Sequence, residues 1–96
     1  MVFRLEKYSQ KYISFIKLGS AGSGKLYAEI MKWKEKPMGG VKLEEAYQVF
    51  GKWDFAVLFE ADTNENALHF AGDIVRPIEG VFAMRTIPLA PLRKWG

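Results

Sequence analysis

Apolar positions along the chain switch between a period of two and a helical period, with Gly and Pro marking the changes. The run KYISFIKL, residues 11–18, is rich in β-branched and aromatic residues and stops at Gly19, which predicts a first strand. Leu26, Ile30 and Trp33 then recur at i, i+4 and i+7 with Tyr27 and Met31 beside them, the spacing of a buried helical stripe. Pro37 and the pair Gly39 and Gly40 end that helix. EEAYQVF and DFAVLFEA are β-prone runs joined by GKW, which predicts an antiparallel hairpin with a short glycine-containing loop. Asp62, three residues before Glu65, reads as an Asp-type capping box opening a second helix. Ala67, Phe70, Ala71, Ile74, Val75 and Ile78 fall in one sector of that helix, and the pattern weakens at Arg76 before Pro77. EGVFAMRTI gives a fourth strand, and PLAPLRKWG is a Pro-punctuated tail.

The order βαββαβ is the ferredoxin-like α+β pattern, a four-stranded antiparallel sheet with both helices on one face. At 96 residues the chain holds one core. The expected organisation is a single domain, residues 1–96, with a core over 12–89, an N-terminal extension over 1–11 and the tail over 88–96.

A sheet covered on one side should alternate apolar inward and polar outward. Here Phe55, Val57 and Phe59 oppose Ala56 and Leu58; Ile13 and Phe15 oppose Tyr12, Ile16 and Leu18; and Val81, Ala83 and Ile87 oppose Phe82 and Met84. Both faces are apolar, a larger patch than soluble monomers usually expose. The expected solution is a homodimer, with the second face buried against the same sheet of another copy.

Composition narrows the function classes. Half the residues are apolar, and there is no Cys, so disulfides, thiolate metal sites and a Cys nucleophile are excluded. No stretch approaches the roughly 20 apolar residues of a membrane span, and the N-terminus has no signal-peptide core, so a cytoplasmic protein without membrane contact is expected. The net charge of +3 comes from scattered lysines without a basic block, so direct nucleic-acid binding is not expected.

KLGSAGSGKLY, residues 17–27, has all but the last letter of a phosphate-binding loop. The residue after Lys25 is Leu26, where that loop needs Ser or Thr for magnesium, and a 96-residue antiparallel unit cannot supply the parallel sheet. The segment reads as a glycine turn into a helix, whose N–H groups could still receive a small anion. His69, the only histidine, is expected to face solvent near Glu65 and Arg76. No ligands are spaced with it for a metal, and no serine or carboxylate pairs with it as a triad, so neither a metal site nor catalytic residues are assigned. In FGKWDF, Asp54 opens an apolar strand beside Trp53, a carboxylate and an aromatic placed to orient a small ligand. Ordinary turn chemistry accounts for the same residues.

With FGKWDFAVLFEAD and IVRPIEGVFAMRTI, the chain resembles the dimeric α/β barrel superfamily over roughly residues 12–89. It is most similar there to the ligand-binding domain of the Lrp/AsnC transcriptional regulators and to stand-alone relatives including GYD-type domains. The resemblance rests on Gly51, Trp53 and Asp54 before an apolar strand, the turn Ile78, Glu79, Gly80, Val81, and Thr86 on the last strand. It implies a non-catalytic oligomer that binds an amino-acid-like effector, with Gly51, Trp53 and Asp54 as pocket wall, Thr86 contributing, and no cofactor. Residues 1–11 cannot hold the regulators' helix-turn-helix, so a separate DNA-binding protein is the implied partner. The start of the first helix and the connection KWKEKPMGGVKLEE are longer and more basic than the family pattern. The same superfamily implies an alternative, a small monooxygenase or haem-binding enzyme using Trp33, Trp53 or His69. A third reading is an assembly subunit whose tail packs on a neighbour.

Overall fold

The computed structural model describes residues 10–20, 22–36 and 39–90. The strands are β1 (Gln10–Leu18), β2 (Val41–Gln48), β3 (Phe55–Ala61) and β4 (Val81–Leu89). Helix α1 (Gly24–Glu35) joins β1 to β2, and α2 (Asn64–His69) continues into a π-helical turn, Phe70–Val75, before β4. All neighbours in the sheet are antiparallel, in the order β2-β3-β1-β4. This is the expected ferredoxin-like α+β architecture. Pro37, residues 1–9 of the N-terminal extension and the tail beyond residue 90 lie outside the described residues.

The core lies between the helices and one sheet face. Leu26, Ile30 and Trp33 of α1 meet Tyr12 and Ile16 of β1, Phe59 of β3 and Phe70 of the π turn in one buried cluster. Its aromatic spine runs Tyr12–Phe59–Phe70–Trp33, with ring centroids 5.3, 4.8 and 5.1 Å apart in turn. Offset and edge-on contacts at these distances add to what burial alone contributes.

Four local expectations need correction. Strand β2 begins at Val41, inside the segment read as a connection, because a bulge at Glu44 interrupts its alternation: Leu43 pairs with Phe59, but Glu45 already pairs with Leu58. The hairpin loop is longer than GKW, running from Val49 to Asp54, with the Val49 N–H donating to the Asp54 carbonyl at 3.0 Å. The cap of α2 is Thr63, whose hydroxyl oxygen accepts from the Asn66 N–H at 3.0 Å. Asp62 instead accepts from the Asn66 side-chain amide at 2.7 Å. Strand β4 carries a shift between Lys17 and Leu18 of β1, so Val81 and Met84 both pack against the core, and it extends through Pro88 to Leu89. Pro88 fits there because β4 is an edge strand, where a missing N–H can face away from the ladder. No helix among the described residues is long and apolar enough to cross a membrane.

Candidate ligand-binding site

The β2–β3 loop is fastened to the end of β1 through one residue. The Asp54 N–H donates to the Ile16 carbonyl at 2.9 Å, and its carboxylate Oδ2 accepts from the Leu18 N–H at 2.8 Å. These bonds prolong the β1–β3 ladder past the Ile16–Phe55 pair and fix the carboxylate's direction. Gly51 has φ +106°, a conformation that L side chains rarely adopt, and nothing crowds it. The Trp53 ring lies 6.1 Å from Phe15, and Lys52 Nζ is 6.0 Å from the indole centroid.

Asp54 borders a cleft of about 410 Å³ whose other wall is the glycine-rich turn at Gly19, Gly22 and Ser23. Leu26, the residue that disqualified a phosphate loop, is fully buried. A second cleft, of about 390 Å³, runs on from the first and shares Ser23, Gln48 and Phe55 with it. It follows α1 past Tyr27, Ile30 and Met31 to Lys34, with β2 from Ala46 to Gln48 opposite. Tyr27 and Met31 are 59% and 48% exposed. Sequence reasoning placed both beside the core stripe and missed that they line a groove. The available signal was the width of the α1 apolar sector, which exceeds what one sheet face can cover.

Thr86 lies elsewhere. It faces the helices from β4, pairs in register with Ser14, and shares a 2.7 Å hydrogen bond with the Ser14 hydroxyl. It lines a separate cleft of about 210 Å³ with Tyr12, Asn64 and Pro88. The Tyr12 O–H donates to Asn64 Oδ1 there, and burial raises the Tyr12 pKa. Gly51, Trp53 and Asp54 are thus gathered in one loop, with Thr86 at the far edge of the sheet. His69 faces solvent as expected, and its Nδ1 lies 2.9 Å from the Asp73 carboxylate. Among the described residues, no group of three His, Asp or Glu side chains is placed to hold a metal.

The open sheet face has an apolar centre and charged ends. Leu58, Ile13 and Ile87 are neighbours across three strands, with Ala56 and Phe15 in the next row. At one end Lys11 Nζ lies 3.3 Å from Glu44 and 3.6 Å from Glu60. A hydrogen bond between the two carboxyls holds Glu60 above its ordinary pKa, with partial burial adding to the rise, and the same bond holds Glu44 below. Hydrogen bonding to Glu44 raises Lys11. Arg85 lies across from Phe15 and Lys17 across from Ala83 toward the other end.

No protein-family model and no curated protein sequence matches the chain. Solved structures do. A transcriptional regulator from Neisseria meningitidis, solved in complex with L-Met, superimposes with a TM-score of 0.76 at 14% identity, covering 99% of this chain and 61% of its own. Escherichia coli AsnC gives 0.65 at 15% identity over 99% of this chain and 64% of its own. The chain shares the fold of AsnC and of these related structures. The Lrp/AsnC-like architecture expected from the hairpin and β4 residues is therefore the one observed, and at these identities the likeness is one of fold. FFRP-DM1, at 21% identity and a TM-score of 0.67, is matched over 85% of this chain and its whole length. The chain spans less than two thirds of the length of the Neisseria and E. coli proteins.

Proposed function

We propose that the chain is a regulatory ligand-binding module, non-catalytic and dimeric, that takes an amino-acid-like effector at the β2–β3 loop. One observation carries the reading: Asp54 presents an oriented carboxylate to a cleft. With Oδ2 held by Leu18, Oδ1 remains as an acceptor for a ligand ammonium. Gly51 permits the loop that brings Asp54 there, and Trp53 braces it from the opposite side of the sheet against Phe15. The fold shared with a regulator solved in complex with L-Met supports an effector of this class.

Dimerisation occupies the open face. An apolar centre of Ile13, Phe15, Leu58 and Ile87 with charges at its ends has the make-up of an interface core and rim, and a second copy offers the same surface by twofold symmetry. Trp53, beside Phe15, then lies at the rim of that interface.

A thermal-shift screen of the chain against the amino acids, haem, flavin and ATP with magnesium tests the reading. An effector at 100 times its dissociation constant stabilises by about 2.7 kcal/mol. Asp54→Asn keeps an oxygen for the Leu18 N–H and removes the charge, so this variant should stay folded and lose the amino-acid shift. Stabilisation by haem or flavin alone would favour the enzyme reading, and stabilisation by ATP with magnesium alone would restore the phosphate loop.

A further inference from the structure

The cleft along α1 is more than a single amino acid bound at Asp54 requires. Ser23, Tyr27, Ile30, Met31 and Lys34 line it from one side of the helix. At 1.5 Å per residue, that row is about 16 Å long. Its opposite wall is the edge strand β2, which has β3 on one side and, among the described residues, no strand on the other. An edge of this kind carries backbone N–H and C=O groups free to pair with another extended chain. The groove therefore offers a carboxylate at the Asp54 end, the exposed apolar side chains of Tyr27 and Met31 in the middle, and an ammonium at the Lys34 end.

Resting on the effector reading of the Asp54 end, we infer that the ligand is a short extended peptide of about three or four residues, which spans about 10 to 14 Å. Its N-terminal ammonium meets Asp54, an apolar side chain lies against Tyr27 and Met31, and its C-terminal carboxylate meets Lys34. Because β2 runs toward Gln48 and the Asp54 end, this orientation lays the peptide antiparallel to β2. Strand addition then supplies backbone hydrogen bonds, while the groove selects the side chain.

Isothermal titration calorimetry of the full chain with the tripeptide Ala-Leu-Ala, its N-acetyl and C-amide forms, and free L-leucine tests the proposal. The tripeptide should bind at least tenfold more tightly than leucine, and each blocked form should bind severalfold more weakly than the free tripeptide. Met31→Asp, at an exposed position, should weaken the tripeptide roughly tenfold. Lys34→Ala should bind the tripeptide and its amide equally. If leucine binds as tightly as the tripeptide, with sensitivity to Asp54→Asn, the peptide is overturned and the amino-acid effector survives. Tripeptide binding that ignores both Met31→Asp and Lys34→Ala overturns the placement in the groove. If neither the tripeptide nor any free amino acid binds, the effector reading falls with it.

Discussion

Among the described residues, Ser14 is the polar residue in an otherwise apolar interior, 1% exposed in the middle of β1. Its hydroxyl is tolerated there because Thr86 answers it at 2.7 Å. Thr86→Val keeps the shape and strands the Ser14 hydroxyl, so it should cost about 1–3 kcal/mol. Adding Ser14→Ala should recover part of that loss, a coupling that urea denaturation of the four-protein cycle measures. Gly40 is the second sensitive position. Its φ is +77°, and a Cβ there would clash with the Asn66 amide nitrogen and with Asp62 Oδ1, atoms hydrogen-bonded to each other. Gly40→Ala should therefore lower the denaturation midpoint clearly, whereas Gly24→Ala, which meets open space, should not. Neither role was legible in the sequence, because each partner lies far along the chain. The same holds for Asp54: turn chemistry was readable from FGKWDF, but the bond to Leu18, 36 residues earlier, exists only once β1 and β3 pair.

Elements were legible wherever one period ran without interruption. The stripe Leu26, Ile30, Trp33 is buried as its spacing required, and β3 pairs with β1 residue for residue without a bulge. Legibility failed where a bulge adds a residue. In β2 the shift at Glu44 breaks the period-two pattern, so only the piece from Glu44 onward reads as a strand, and in β4 the shift beside Lys17 places Val81 on the same side as Met84. The α2 cap failed differently: Asp62 and Thr63 are both good capping residues, and the backbone at Thr63, extended at φ −142°, decides between them. Thr63→Ala should cost about 1 kcal/mol by chemical denaturation and Asp62→Ala less, because only Thr63 satisfies a free helix N–H.

At the scale of the molecule, one sheet serves two surfaces, the helices and the cleft along α1 on one side and the open face on the other. Lys11, Glu44 and Glu60, with Lys42 nearby on β2, set how the open face responds to pH. Glu60 is raised in the folded state, so its contribution favours folding below the ordinary carboxylate value of 4.5 and is lost as pH rises through the folded value. Glu60→Gln should therefore raise the melting temperature above that of the native chain at pH 7. The two should converge well below pH 4.5, where both side chains are neutral, as calorimetric scans across pH would measure.

The apolar patterning of both sheet faces, visible in the sequence, is the reason to expect a second copy on the open one. Multi-angle light scattering of the native chain and of Leu58→Lys at micromolar concentration tests this most directly. The native chain should run at twice its 11.0 kDa mass and the variant at the mass of one chain, still folded by circular dichroism. A native chain that runs at 11.0 kDa, or a Leu58→Lys protein that remains a dimer, would contradict it.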